Sequence, residues 1–342
     1  MFEQEFPIDA VYLWCDGDDP LFQVAKAKRM AEVGDPLKQS TTPVTEALED
    51  YLNPKNRYES HDELKYSLRS LEKCAPWINH IYIVTNKQRP KWLKDSDKIT
   101  IIDHEEIIPH NLLPTFNSAT IEQYIINIKG LAEHFIYLND DMFFYRETPK
   151  EIFFKRGKPI VYTREPWKRG FVDTQSIREA QENTTPYIKS VLNGYLLMCE
   201  HRGTFVDFCL PTHSIDAYSK SILKAILEEY PETYDRNVHP FRNADEVVRA
   251  FWILEMANFH GCSRKIDKAP KSLIQRFLAA LGLFRVYTYE FQAGKRTYER
   301  FVKDLERLKP YHICCNNLSG IKATRTMKYL HNRFPEKSSF EI

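Results

Sequence analysis

The 342-residue sequence contains no run able to span a bilayer, which takes about twenty apolar residues. Its most apolar window, residues 277–284, covers eight positions and is flanked by Arg276 and Arg285. Excess charge of either sign is also missing: 48 basic and 47 acidic side chains give a formal net charge of +1, so no global field marks a nucleic-acid binder. Any anion site is local. The start, MFEQEFPID, carries glutamates where a secretory signal has basic residues, and no apolar segment follows, so the protein is expected in the cytoplasm. The seven cysteines are odd in number and form no C-x-x-C pair, which reads as reduced, mostly buried thiols. Internal repeats and low-complexity tracts are absent as well.

What is there alternates between strand and helix patterns. Residues 8–15, 80–86 and 99–104 and the run HFIYLNDDMFF (134–144) read as strands, with helices over 21–33, 61–74 and 115–128 and a short one around Trp92. Leu64, Leu68 and Leu71 share one helix face, and Ile121, Ile125 and Ile128 another. Residues 35–57 are polar, contain three prolines and follow no period, and read as a loop or lid. Helices follow at 184–197, 220–229 and 245–259, then strands at 285–291 and 311–317 alternating with helices at 296–308 and 321–332. The implied fold is α/β: a doubly wound, mostly parallel Rossmann-like sheet with a helical insertion in the second half. The expected organisation is an α/β nucleotide-sugar-binding half over 1–150, a mainly helical substrate-binding and catalytic region over 151–283, and an α/β unit over 284–342 that completes the site. Lys265, Lys268, Lys271 and Arg276 precede the window 277–284, which reads as a buried helix or lid, with an anionic membrane surface as the other option.

The most informative stretch is HFIYLNDDMFF. A buried strand that ends in Asn139, Asp140 and Asp141 delivers two adjacent carboxylates to the rim of the sheet, where ligands bind in such folds. Neighbouring carboxylates repel, and an oxygen-only set favours Mg²⁺ or Mn²⁺, which points toward phosphate chemistry. The alternative is a turn with an Asx cap.

Four blocks then occur in order: IDAVYLWCDGDDP; the run from Arg57 through RYESHDELKYSLRSLEKCAPWINHIYIVTN and LPTFNSATIE to FIYLNDDMFF; PTHSIDAYSKSILKAILEEYPETYDRNVHPFRNADE; and CCNN with RFPEKSSFE. They resemble the four conserved regions of the Stealth family, which includes bacterial capsule polymerases that transfer hexose-1-phosphate and the animal GlcNAc-1-phosphotransferase. The resemblance, over most of a short chain, implies a bacterial member. It places Asp16 and Asp19 at the donor site, with Asn in the animal enzyme at the position of Asp16. Glu63 and Arg69 fall in the family's second region, where Lys65 replaces an Arg and Ser60 and His61 replace an Asp-Asn pair; Asn117 joins them as a substrate-binding candidate. Arg69 is a phosphate ligand or a structural ion-pair partner.

The resemblance further implies a catalytic role for His213, in THSID, as the base that takes a proton from an attacking hydroxyl. Asp216 orients that imidazole or begins the next helix. Arg242 matches an arginine suited to a reacting phosphate, and Asp245 contacts substrate or caps the helix after it. Asn316 and Asn317, where the family often has Asn-Asp, would share a metal with Asp140 and Asp141. The implied reaction moves hexose-1-phosphate, HexNAc-1-phosphate favoured, from a nucleotide sugar, UDP-sugar favoured, to a growing glycan, with Mg²⁺ or Mn²⁺ as cofactor and release of nucleoside monophosphate. Asp140 would act with His213 and Arg242. Two alternatives are a metal-dependent glycosyltransferase that releases nucleoside diphosphate and a non-catalytic glycan-binding component of capsule assembly. No nucleic-acid partner is expected, and the reading leaves room for peripheral association with the inner membrane face or the capsule machinery.

Overall fold

The computed structural model describes residues 5–34, 52, 57–167, 170–267, 274–275, 278, 287–290, 297–315, 318 and 320–342. The loop reading for 35–57, the window 277–284 and the candidates Asn316 and Asn317 therefore fall wholly or mostly outside the described residues. Strands β1 (Ile8–Leu13), β2 (Ile81–Thr85), β3 (Ile99–Asp103) and β4 (His134–Asn139) lie parallel in the order β3-β2-β1-β4. β5 (Met142–Phe144) follows β4 after two residues and belongs to a different sheet. β6 (Phe154–Lys155) and β7 (Lys158–Thr163) form a hairpin. β8 (Asp216–Ser219) closes the main sheet, antiparallel to β4. β9 (Ser263–Ile266) pairs with β7, and β10 (Thr288–Glu290) and β11 (His312–Cys314) join β5.

The main strands are apolar on both sides because both faces are covered. Ala10, Tyr12, Ile81, Ile83, Ile136 and Leu138 pack on one face, against Leu64, Leu68 and Leu71 of the helix Glu63–Cys74. Val11, Tyr82, Val84, Phe135 and Tyr137 pack on the other, beneath the helices Pro186–Arg202 and Ala250–Asn258. The doubly wound, mostly parallel sheet expected from the sequence is the fold, and the helices of the second half cover one of its faces. All seven cysteines are free, and all but Cys15 are buried. No helix among the described residues is long and apolar enough to cross a membrane.

Several local expectations are corrected. The helix expected over 115–128 is instead a short helix, Ser118–Glu122, and a 3₁₀ turn, Ile125–Asn127. The segment is rich in β-branched residues, and Gln123 and Asn127 donate to the backbone carbonyls of Asn237 and Ile107. Around Trp92 the chain makes a turn rather than a helix: the Leu93 amide donates to Pro90, and the chain then leaves the turn because Leu93 bridges Glu341 and the amide of Lys94 donates to Phe340. The helix expected from Asp245 begins at Ala250, so Asp245 is not its N-cap. Asn237 holds Val247 through both its backbone groups, and Glu246 accepts from the Asn243 amide, which fixes the preceding turn as loop. β7, β8, β9 and the helix Thr174–Glu182 had no clear signal: the strands are short and without clean alternation.

Two features of the packing give measurable consequences. A Cβ on Gly194 would lie 2.7 Å from Cβ of Phe251, so the two covering helices touch where glycine stands. Gly194→Val should lower stability by about 1–3 kcal/mol through overpacking, read from denaturant midpoints. His312 is 2% exposed and stacks on Phe153, and neither ring nitrogen has a hydrogen-bond partner among the described residues. Burial, with help from Arg146, pushes its pKa down to about 3. The unfolded chain then binds a proton that the folded chain refuses, so stability is full above the unfolded value and falls as pH drops from about 6.5 toward 3. His312→Phe should remove about 1–2 kcal/mol of the stability lost between pH 7 and pH 5, measured by urea unfolding at the two pH values.

Candidate active site

The register between β1 and β4, with Leu13 opposite Asn139, carries the two strand ends to the same edge of the sheet. β1 runs into the turn Asp16–Asp19, and β4 into Asp140 and Asp141. The Asp16 carboxylate accepts from the Asp18 amide at 3.0 Å, while Gln88 clamps the Asp16 backbone from both sides. Gly17 is needed there, because a Cβ would lie 2.3 Å from the carbonyl oxygen of Tyr58. Burial pushes the Cys15 thiol up to about 12, and the charges of Asp140 and Asp16 push the same way, which puts both carboxylates in its electrostatic surroundings.

Asp140 and Asp141 are both half-buried. Desolvation holds the Asp140 pKa well above the carboxylate range, and the charges of Asp141 and Glu63 add to it. Burial raises Asp141 too, opposed by His213. One oxygen of Asp141, Oδ1, is buried and has no hydrogen-bond partner among the described residues. The other lies 3.7 Å from Sγ of Cys314. That sulfur lies 3.1 Å from Nδ1 of His213. Desolvation lowers the His213 pKa, so the imidazole favours its neutral form, with Asp141 and Arg249 acting in opposite directions. A neutral imidazole beside a carboxylate pair is a competent proton acceptor.

Asp216 neither orients His213 nor begins a helix. It is the first residue of β8, and its carboxylate accepts from Nη1 of Arg249 at 2.6 Å. Arg249 also lies 3.9 Å from Glu122 and 4.8 Å from the Tyr137 ring centre. Burial disfavours the guanidinium charge, but Asp216 and Glu122 outweigh it and hold the group firmly protonated. Burial likewise lifts Asp216 to about 6 against the pull of Arg249. A permanent positive charge thus sits behind the Asp141–His213 pair.

The remaining sequence candidates divide by what holds them. Arg242 donates to Ser118 at 3.1 Å, and its charge reaches Glu122, Tyr187 and Glu246. Glu63 is buried, is bonded to His61 and adds to the field at Asp140. Asp19 caps the helix Pro20–Val33 through the amides of Leu21 and Phe22. Asn117 caps Ser118–Glu122, and its amide group ties down the His239, Phe241 and Glu246 loop. Asp245 points outward, 78% exposed, with Lys189 at 4.0 Å. Arg69 makes a two-pronged bond at 2.7 Å to each oxygen of the buried Glu341, so its guanidinium faces the C-terminal segment. It is the structural ion-pair partner of the two readings.

Arg249, Glu122 and Cys314 were not among the sequence candidates. Arg249 lies three residues beyond the block that contains Arg242, immediately before an apolar helix, where its charge was a signal. Cys314 precedes the asparagines that drew attention in CCNN. Among the described residues, the three-member group of metal-capable side chains is elsewhere: Glu229, Glu255 and His260. Arg202 lies 2.7 Å from both of those carboxylates and supplies their counter-charge.

The segments that build this edge match known conserved regions: Stealth protein CR1, conserved region 1, over residues 6–34, and Stealth protein CR2, conserved region 2, over residues 57–161. An exopolysaccharide phosphotransferase of Streptomyces coelicolor is 38% identical over 247 residues, covering 71% of this chain and 38% of that protein. A capsular polysaccharide phosphotransferase of Aeromonas hydrophila is 46% identical over 151 residues, 44% of this chain and 39% of that protein. An exopolysaccharide phosphotransferase of Lactiplantibacillus plantarum is 28% identical over 369 residues, with 98% of this chain and 96% of that protein covered. The chain thus spans well under half the length of the first two relatives. Among solved structures, the galactosyltransferase LgtC in complex with donor and acceptor sugar analogs has a TM-score of 0.42 at 11% identity, covering 95% of this chain and 96% of that one, too slight a likeness to bear on function. Because region 1 supplies the Asp16 turn and region 2 supplies Glu63, Asp140 and Asp141, the chain belongs to the Stealth family.

Proposed function

We propose that this chain transfers a sugar 1-phosphate, a hexose-1-phosphate with the HexNAc form favoured, from a nucleotide sugar to a hydroxyl of a growing glycan. The observation that carries the reading is the linking of His213 to Asp141 through Cys314 Sγ, 3.1 Å from Nδ1 and 3.7 Å from Oδ2, at the carboxyl edge of the sheet. Its setting is a chain that carries two Stealth conserved regions and is similar to proteins named exopolysaccharide and capsular polysaccharide phosphotransferases. The donor is a nucleotide sugar, UDP-sugar favoured, and the product a phosphodiester-linked exopolysaccharide or capsular glycan. The reaction would take place in the cytoplasm, at or near the inner face of the membrane.

The residues at the strand end fit a hard divalent cation. Asp141 keeps a buried oxygen without a hydrogen-bond partner among the described residues, and Asp140 is raised by burial and then by the charges of Asp141 and Glu63, which a cation would offset. Asp140 and Asp141 would hold Mg²⁺ or Mn²⁺, with Asn316 and Asn317 as further candidates. When bound, the ion supplies charge neutralisation for the donor diphosphate. His213 takes the proton from the acceptor hydroxyl as that oxygen forms its bond to the sugar-linked phosphorus. The bond from that phosphorus to the bridging oxygen breaks, and nucleoside monophosphate leaves. Arg242 compensates charge on the reacting phosphate, with Asp16 and Glu63 shaping the donor side and Asp19, Asn117 and Asp245 supporting the loops around it.

Incubating the protein with Mg²⁺, a panel of UDP-, GDP- and CDP-sugars and short glycan acceptors, followed by mass spectrometry, tests the reaction. The expected products are nucleoside monophosphate and an acceptor heavier by one sugar phosphate. Nucleoside diphosphate with an acceptor heavier by sugar alone would establish a glycosyltransferase, and binding without turnover a glycan-binding component. His213→Ala should lower turnover by about 10²–10⁴-fold while the donor still binds in calorimetry. Turnover within a few fold of wild type would remove His213 as the base.

A further inference from the structure

The Nδ1 atom of His213 meets a neutral group. That group is a thiol: Cys314 Sγ at 3.1 Å, which in turn lies 3.7 Å from Oδ2 of Asp141. The backbone makes this arrangement durable. Cys314 pairs with Met142 across the antiparallel β5–β11 ladder, and the amide of Cys315 donates to the carbonyl of Asp141 at 2.9 Å. The sulfur is therefore pinned beside the residue that follows the β4 carboxylate, on a buried strand.

A thiol has one proton to give, and a carboxylate can only accept. With the S–H directed at Asp141, the contact at Nδ1 has a single consistent polarity: the ring donates N–H to sulfur. The partner of one ring nitrogen decides which nitrogen stays basic. We propose that Cys314 is a positioning residue that holds His213 in the Nδ1–H tautomer, relaying the orientation of Asp141 and leaving the Nε2 lone pair as the basic atom that faces the acceptor. This rests on the reading of His213 as the proton acceptor. It gives the thiol the task that a carboxylate performs when it touches the imidazole directly, and it releases Asp216 to hold Arg249.

The test uses the full chain labelled with ¹⁵N-histidine, with the tautomer of each ring read from long-range proton–nitrogen correlation at pH 8 and the His213 signals assigned by their loss in His213→Gln. The wild type should show a protonated Nδ1 and a bare Nε2. In Cys314→Ala the ring should shift toward the Nε2–H form, and Cys314→Ser, which keeps a donor and an acceptor, should retain the wild-type form. With a sugar-phosphate donor and acceptor, Cys314→Ala should lower kcat about tenfold or more with KM little changed, and Cys314→Ser should restore it to within about threefold. An Nε2–H ring in the wild type overturns the proposal, as does a ring carrying both protons at pH 8. So does a Cys314→Ala protein with unchanged tautomer or unchanged kcat. The tautomer needs no turnover to be read. A correct tautomer in a protein that moves no sugar phosphate would count against the proposed reaction and not against the placement of Cys314.

Discussion

Two carboxylates on consecutive residues repel each other, and they do so most where each has lost part of its water. The end of β4 puts Asp140 and Asp141 in that position, with Glu63 adding a third negative charge to the surroundings of Asp140. The edge of the sheet is organised around this excess. Arg249, half-buried, lies close enough for its charge to act on Asp141 and His213, and it carries its own pair of carboxylates, Asp216 and Glu122, which keep it from neutralising the site outright. The residual negative potential at the strand end is what a divalent cation would meet.

The arginines show how burial and partner decide what a residue type does. Arg69 falls in a block whose resemblance invited a phosphate role, yet its guanidinium is matched to Glu341 with both oxygens engaged. Removing one partner of so buried a pair leaves the other uncompensated, so the pair is a fixed structural tie between the helix Glu63–Cys74 and the C-terminal segment. Arg202 does the same for Glu229 and Glu255. Arg242 donates to a neutral hydroxyl, that of Ser118, and its charge is felt by Glu122, Tyr187 and Glu246.

Much of the frame was legible in the sequence because parallel strands buried on both faces read as continuous apolar runs, and β1, β2 and β4 do so. Helices with a single buried stripe, such as Glu63–Cys74, announced themselves in the same way. The errors cluster where tertiary contacts override local pattern. The turn at Trp92 goes no further than Leu93, which bridges the C-terminal segment, the turn before Ala250 is held open by Asn237 and Glu246, and Asp216 is a strand residue that pairs with the free edge of β4. Within the site, the carboxylates and His213 were visible as residue types. The thiol between them was not, because cysteine in a buried strand has the sequence signature of any small apolar residue.

That invisibility has a physical basis that bears on the chemistry. A carboxylate placed directly against the imidazole would add negative charge to a region already crowded by Asp140, Asp141 and Glu63, and would favour the charged form of the ring. A thiol of about the right length transmits direction without adding charge, so His213 stays neutral beside an anionic cluster. Burial pushes the Cys314 thiol further toward its protonated form, which preserves that neutrality. The same desolvation that raises Asp140 and Asp141 lowers His213, so one constraint, the dry end of β4, pushes all three groups toward their neutral forms.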